Sequence, residues 1–169
     1  NHKINLMDLP GHPDFIGELI VGLNVSETAI IVLNANAGFE VGTEIQYKYV
    51  EKFNLPRIFF INKVEKEHVK TGVILKQLQE RFGTKVVPMQ IPIGEDLEFK
   101  GLVDLIKMKG ITYDPKGGAV EGEIPANLKG EAEAAHQKMI EAIAEADDLL
   151  LEKFFDKGEL SPAEILDGL

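Results

Sequence analysis

The first residues that could do chemistry are Asp8-Leu9-Pro10-Gly11-His12, which follow a short apolar segment. An aspartate at the end of a strand can hold Mg²⁺ through water in a phosphoryl-transfer site. A glycine lets its backbone N–H approach a terminal phosphate because no Cβ stands in the way. A histidine beside it can orient an attacking water. The competing interpretation, an aspartate-capped tight turn with a surface histidine, explains this group alone equally well.

A second group, Asn62-Lys63-Val64-Glu65, directly follows an apolar run. The asparagine can hold a strand-end loop and reach a base edge, and the lysine stem can lie flat over a purine ring. A carboxylate can accept the two N–H donors on the Watson–Crick edge of guanine, which adenine lacks. Taken alone, the group is also explained as a helix N-terminus with ordinary polar residues.

The elements around these groups predict how they are positioned. Residues 3–7, 29–33 and 57–61 are predicted strands, and the last two are continuous apolar runs of the kind that is buried on both faces of a sheet. The stretches between them have helical spacing of apolar residues. Strands alternating with helices predict a parallel sheet, so we expect both polar groups at the same sheet edge.

The pattern changes after residue 65. A helix is predicted over 66–82, strands over 86–93 and 99–113, and a long helix from about 125 to 155. Ser161 and Glu164 form a capping box with a proline at the first helical position, which predicts one more helix.

The composition limits the function classes. The chain has 169 residues, 44% hydrophobic and 27% charged, which indicates a globular protein. It has no cysteine, which excludes disulfides and thiolate metal sites, and no apolar run long enough to span a membrane. The absence of cysteine fits a cytoplasmic protein. The first residues lack signal-peptide features and run directly into the predicted strand, so we expect the true N-terminus to lie elsewhere.

The net charge of −10 is unevenly distributed. Residues 121–169 carry 13 acidic side chains and 4 lysines, a net charge of −9. This acidity excludes RNA binding by bulk electrostatics in that region. A solvated helical surface and a partner-binding surface both remain open as interpretations.

Together the two polar groups resemble a known family. Residues 8–12 are similar to the Asp-x-x-Gly-His motif of translational GTPases, and residues 62–65 to their Asn-Lys-x-Asp base-reading motif. Residues 100–109, 123–126 and 136–164 resemble the insertion that elongation factor G carries inside its GTPase domain. The chain is therefore identified as an internal piece of a GTPase of the elongation factor G type.

The resemblance implies an α/β fold: a partial P-loop-GTPase-type parallel sheet with helices, plus an α+β insertion lobe. It implies that residues 1–65 are part of the GTPase domain and that residues 66–169 are the insertion. The parent protein would bind GTP and Mg²⁺ and hydrolyse GTP on the ribosome. Its expected partners are the ribosome with its stalk proteins and, through domains outside this chain, the tRNA–mRNA complex. No membrane partner is expected, and the piece itself should be a monomer.

The resemblance also implies a role for each residue of the first group. Asp8 would be linked to Mg²⁺ through water, Gly11 would donate its N–H to the γ-phosphate, and His12 would be the catalytic residue that orients water. Leu9 and Pro10 would complete this part of the nucleotide site. Residues 11–24 would form the segment called switch II, whose order depends on the γ-phosphate.

Asn62, Lys63, Val64 and Glu65 would bind guanine. The family has aspartate where this chain has Glu65, which is one methylene longer. Pro13 is expected to stiffen the switch, and residues 17–24 lack the usual arginine. These departures favour a divergent paralogue over the main translocase, and an alternative function as a ribosome- or stalk-binding module with impaired GTP use.

The phosphate-binding part of such a site is missing from the sequence. No Gly-x-x-x-x-Gly-Lys-Ser/Thr loop occurs in the 169 residues. That loop supplies the backbone cradle and the lysine for the β- and γ-phosphates. We therefore expect the isolated chain neither to bind GTP tightly nor to hydrolyse it.

Overall fold

The computed structural model describes residues 2–83, 85–114 and 116–169. The chain divides into two compact units, Asn1–Lys63 and Val64–Leu169. Each unit has its own cluster of buried apolar side chains. The assignment of the first part of the chain to a GTPase domain and of the second to an insertion stays a prediction.

The first unit is built around two parallel strands. A 3-10 turn at Pro13–Phe15 leads into helix α1 (Ile16–Asn24), which is followed by β1 (Ala29–Asn34), α2 (Val41–Lys52) and β2 (Arg57–Asn62). The strands pair in parallel along their whole length, and α2 makes the crossover between them. The predicted α/β class with a parallel sheet is confirmed.

The expectation that these strands are buried on both faces is wrong. Along β1, Ile31 and Leu33 are 3% and 1% exposed, whereas Ile30 and Val32 are 55% and 56% exposed. One face packs against a cluster that includes Leu19 of α1 and other residues of α1 and α2. Among the described residues of the first unit, none covers the other face to a similar extent. A continuous apolar run carries no information about which face is covered.

The predicted strand over residues 3–7 is also not formed. Residues 2–10 have no strand, and Ile4 and Leu6 are 79% and 84% exposed. A strand needs a neighbour for its backbone N–H and C=O groups, and no strand of the described chain pairs with this segment. Asp8 therefore does not lie at a strand end, and the sheet-edge argument holds only for the residues that follow β1 and β2.

The second unit combines helices with an antiparallel sheet. Its elements are α3 (Thr71–Phe82), β3 (Gln90–Ile93), a 3-10 turn at Asp96–Glu98, β4 (Gly101–Asp104), β5 (Lys109–Tyr113), β6 (Ala119–Gly122), α4 (Lys129–Ala144), α5 (Asp148–Lys157) and α6 (Pro162–Gly168). The four strands are neighbours in the order β3-β4-β5-β6.

Four predicted elements of this unit have different bounds. The strand expected over 86–93 is shorter, because β3 spans only Gln90–Ile93. The strand expected over 99–113 is a hairpin, because Asp104 Oδ1 accepts the backbone N–H groups of Ile106 and Lys107 at 2.9 and 3.0 Å and turns the chain. The helix expected over 125–155 is two helices, because Asp147 leaves the helical conformation and caps α5. The helix expected from residue 66 begins at Thr71.

The core of the second unit is larger than that of the first. Helix α4 covers the sheet, and the Nδ1 of its His136 lies 2.6 Å from the backbone oxygen of Leu105. The buried residues of this core are Ile91, Ile93, Val103, Leu105, Ala132, Met139, Ile140, Ile143, Ala144, Leu150, Leu160 and Ile165. In the described parts of the chain, no helix is long and apolar enough to cross a membrane.

Candidate functional site

The loop of residues 8–12 is exposed except for the half-buried Leu9, and it leads into the 3-10 turn. His12 is the N-cap of that turn, with extended backbone angles (φ −77°, ψ 136°), and its backbone oxygen accepts from Phe15 N at 3.0 Å. Pro13 takes the first position of the turn, where a missing N–H costs nothing. The loop therefore ends in a rigid turn immediately after its histidine.

The imidazole of His12 is 68% exposed and contacts Asp14 only at long range. Its Nδ1 lies 3.4 Å from both the backbone N and the Oδ2 of Asp14. A neutral ring accepts from the backbone N–H, and a protonated ring donates to the carboxylate, so the two contacts exclude one another. The Phe15 ring lies edge-on at 6.4 Å between centroids. The side chain is thus oriented toward Asp14 but accessible.

This loop is contacted by two residues, Gln46 and Gly22, that the sequence patterns did not indicate. Gln46 of α2 donates from Nε2 to the backbone oxygen of Gly11 at 3.3 Å. Gly22 of α1 is buried beneath the side chain of Leu9. A glycine inside a helix costs about 1 kcal/mol relative to alanine, so a glycine in the interior of α1 is a candidate for a close packing contact. That signal could have pointed to Gly22; no local signal points to Gln46.

Asn62 is the last residue of β2, and its side chain shapes the turn that follows. Its Oδ1 accepts from Lys63 N at 2.9 Å, and Lys63 takes a left-handed conformation with φ 63°. Asn34 is its partner in the strand register and is the last residue of β1, and its Oδ1 accepts from Asn36 N, two residues on, at 3.2 Å. Asn34 is a second amide at this sheet edge that sequence reasoning missed.

The predicted base-reading group is divided between the two units. Asn62 and Lys63 belong to the first unit, with residues 8–12, whereas Val64 and Glu65 belong to the second. Glu65 is exposed and lies in a turn. In the described chain, no group of three or more His, Asp or Glu side chains could hold a metal ion directly.

The exposed residues of the first unit fit part of a nucleotide site. Gly11 is open to solvent, and a Cβ there would meet only Gln46 Nε2, at 3.4 Å. The backbone around Gly11 is thus accessible to a ligand. Asp8 is an exposed carboxylate, the oxygen ligand type that Mg²⁺ and its bound water prefer. The exposed backbone at Gly11 and the Asp8 carboxylate are thus chemically compatible with a terminal phosphate and its Mg²⁺.

Comparison with known proteins shows the family. A family model described as "Elongation factor Tu GTP binding domain" matches residues 1–161, so the chain belongs to that family of GTP-binding domains. Within it, the chain is similar to elongation factor G of Thermotoga neapolitana, with 39% identity over 166 residues, which is 97% of this chain and 24% of the relative. The predicted resemblance to elongation factor G is confirmed.

A solved structure supports the same fold. The chain is similar to a protein of Thermus thermophilus with a TM-score of 0.85 and 29% identity, over 95% of this chain and 24% of that one. The chain therefore spans about a quarter of the length of the relatives that it matches.

Proposed function

We propose that the protein carrying this chain is a ribosome-dependent GTPase of translation elongation, which couples GTP hydrolysis to the movement of tRNA and mRNA. The observation that supports this most directly is the exposed Gly11-His12 loop in a unit of the GTP-binding-domain family. The proposal includes a cytoplasmic location and contact with the ribosome and its stalk proteins.

In this proposal the first group of residues serves the terminal phosphate. Mg²⁺ neutralises charge on the β- and γ-phosphate oxygens when it is bound. The exposed Asp8 carboxylate accepts hydrogen bonds from water on that ion, and Gly11 donates its N–H to the γ-phosphate. His12 in its neutral form accepts a hydrogen bond from the attacking water and orients it. Leu9 and Pro10 carry these groups on the loop.

The second group serves the base. Asn62 holds the turn through its contact with Lys63 N, and the Lys63 stem covers one face of the purine. Glu65 accepts hydrogen bonds from the N–H groups of guanine, and Val64 is the spacer between Lys63 and Glu65. Because Glu65 is one methylene longer than the family's aspartate, we propose that its fit to guanine is imperfect.

The test uses the full-length protein with and without ribosomes. Substituting His12→Ala should lower ribosome-stimulated hydrolysis by about 10²-fold or more, because a positioned acid–base group contributes on that order. The GTP dissociation constant should stay within about twofold, since the base and remaining phosphate contacts are intact. Unchanged hydrolysis in the variant would remove His12 from the site.

Glu65→Asp tests the base-reading role. A buried hydrogen-bonding site can discriminate by roughly 10⁴-fold when its geometry fits, so the substitution should raise the preference for GTP over ATP. Titrations of both nucleotides against both proteins give the answer. Equal preference in the two would show that glutamate reaches the base without help.

A second candidate is a ribosome- or stalk-binding module with impaired GTP use. Two observations favour it: Glu65 in place of aspartate, and the net charge of −9 over residues 121–169. This candidate predicts ribosome binding that is unchanged by GTP and GDP. Ribosome binding by the wild-type protein, measured without nucleotide and with GTP or GDP, therefore separates the two functions.

The isolated chain is predicted to be inactive. Phosphoryl transfer depends almost entirely on positioning and charge stabilisation, and the phosphate cradle is not in this sequence. Calorimetric titration with GTP and Mg²⁺ should show no binding at micromolar concentration. Phosphate release above the background without protein would contradict the assigned site.

A further inference from the structure

The side chain of Leu9 occupies the space that a residue with a Cβ would need at position 22. A Cβ built on Gly22 of α1 would lie 3.1 Å from Leu9 Cγ, 2.7 Å from Cδ2 and closer still to Cδ1. Leu9 also packs against the buried cluster that contains Leu19 and Leu23. The loop is thus seated on α1 through one leucine in a notch that only a glycine leaves open.

The other helix of the unit holds the loop by a polar contact. Gln46 of α2 donates to the backbone oxygen of Gly11 at 3.3 Å. That oxygen belongs to the peptide unit whose N–H is the N–H of His12, so the contact orients the backbone from which the imidazole projects. Residues of the loop and of α2, among them Gly42 and Ile45, line a shallow cleft around this contact.

A second glycine in the same helix provides a comparison. Gly17 is exposed, and a Cβ there would meet nothing within 4 Å. Gly17 and Gly22 therefore share a helix, but of the two only Gly22 contacts the loop. Comparing alanine substitutions at these two positions therefore separates an effect on helix α1 from an effect on the contact between Leu9 and Gly22.

We propose that Gly22 and Gln46 are positioning residues for the candidate phosphate loop. Gly22 sets the depth of the loop by admitting Leu9, and Gln46 sets the orientation of the Gly11–His12 peptide. The consequence for hydrolysis rests on the function proposed above. The seating of the loop on the two helices is a property of this unit alone.

The physical consequence is specific to the terminal phosphate. An alanine at position 22 displaces the Leu9 side chain from its position. We expect the loop to shift with it, because Leu9 is the residue by which the loop packs against the buried cluster. A misplacement of about 1 Å can cost about 10²-fold in rate, so kcat for ribosome-stimulated hydrolysis should fall roughly ten- to hundredfold in Gly22→Ala. Affinity for GDP should stay within about twofold, because GDP has no γ-phosphate for Gly11 or His12 to serve.

The experiment compares four forms of the full-length protein. Gly17→Ala is the matched control and should keep kcat within about twofold of wild type, since alanine only improves helix propensity there. The double variant Leu9→Ala with Gly22→Ala removes the overlapping methyl groups and should regain most of the lost rate. A double variant no faster than Gly22→Ala would mean that α1, rather than the contact with Leu9, causes the loss.

Gln46→Glu tests the polar contact. Glutamate keeps the size of the side chain but has no donor for the Gly11 oxygen. A neutral hydrogen bond contributes about 0.5–1.5 kcal/mol, so kcat should fall roughly two- to tenfold with unchanged GDP affinity. Gln79→Glu is the control: Gln79 of α3 donates to Val86 O at 2.9 Å, a similar bond in the second unit. Equal losses in the two variants would overturn the role of Gln46.

Hydrogen exchange of residues 8–14 gives a readout that needs no nucleotide. Exchange there should be faster in Gly22→Ala than in wild type, unchanged in Gly17→Ala and restored in the double variant. If the wild-type protein hydrolyses no GTP, the proposed function fails. Hydrogen exchange alone then tests whether Leu9 packs the loop against Gly22. Gly22→Ala behaving as Gly17→Ala in exchange would overturn the inference, whatever the activity.

Discussion

The two units of this chain differ in how completely each sheet is covered by residues of its own unit. In the first, a cluster of five buried residues, which includes Ala29 and Ile31 of β1, lies on one face of the two-stranded sheet, whereas Ile30, Val32, Ile58 and Phe60 on the other face are exposed. In the second, twelve buried residues fill the space between the sheet and the helices. Parallel sheets are normally covered on both faces. The first unit, which contains residues 8–12, therefore covers its sheet less completely with its own residues than the second unit does.

The helix ends show part of the same difference. In the second unit, α5 and α6 have side-chain N-caps at Asp147 and Ser161, whereas α3 and α4, as far as the chain is described, have none. Among the described residues of the first unit, neither α1 nor α2 has a side-chain hydrogen bond at its N-cap, which is Phe15 or Glu40. Local stability of the first unit thus depends more on packing around one sheet face. We expect it to open more readily than the second, as functional loops and their supports often do.

The largest expected effect is from Met139→Ala in the second unit. Met139 is completely buried, and truncating such a side chain costs about 2–5 kcal/mol of unfolding free energy. Hydrogen exchange should show the loss in residues 90–165 and no change in β1 and β2. Leu149→Ala, at a position 69% exposed, is the control. Equal loss of protection in β1 would mean that the two units unfold together.

A pair of neighbours on β1 tests the one-sided cover of the first unit. Ile31→Ala should cost about 2 kcal/mol, at the low end for buried isoleucine because its cluster is small. Ile30→Ala, on the exposed face, should cost less than about 1 kcal/mol. Protection of the amides of β1 and β2 measures both. Equal costs would show that both faces are covered in solution.

Asp147→Ala tests the capping of the second unit. Asp147 Oδ1 accepts from the backbone N of Leu149 and Leu150 at 2.8 and 3.1 Å. Losing an N-cap of this kind costs about 1 kcal/mol. Asp148→Ala is the matched control, since Asp148 is an acid in the first turn without these bonds. Equal thermal unfolding temperatures for the two variants would show that the Asp147 cap does not contribute to stability.

The smallest effect is confined to acid. Hydrogen bonds from the Ser161 hydroxyl and backbone N–H, and then from Lys153, lower the pKa of Glu164 from 4.5 to about 2. Because the folded pKa is the lower one, this contribution to stability is complete above pH 4.5 and is lost as the pH falls through about 2.

Glu164→Gln should therefore flatten the pH dependence of α6 stability between pH 4.5 and 2. Lys153→Met should retain most of it, because Ser161 supplies the larger share of the shift. An NMR titration of α6 amides in the wild type and both variants checks this. A Glu164 pKa near 4.5 in the wild type would show that the capping box is not populated.

Elements with local signals were predicted well. The runs at 29–33 and 57–61 became β1 and β2 with one added residue each, and the Ser161–Glu164 capping box starts α6 as expected. Boundaries failed where one side chain redirects the backbone, as Asp104 does between β4 and β5. Of the candidate site, the two motifs were readable from residue types, but the position of Asp8 relative to a strand was not.

The sequence by itself determined which segments are apolar, where the capped helix α6 begins, and which residues could serve a nucleotide, because those signals lie within a few residues of one another. Tertiary structure alone decided that one face of the sheet is covered, that residues 3–7 have no strand partner among the described residues, and that Leu9 rests on Gly22. The contact between Gln46 and Gly11 joins residues 35 positions apart. Such pairs depend on how helices pack, and no local pattern records that packing.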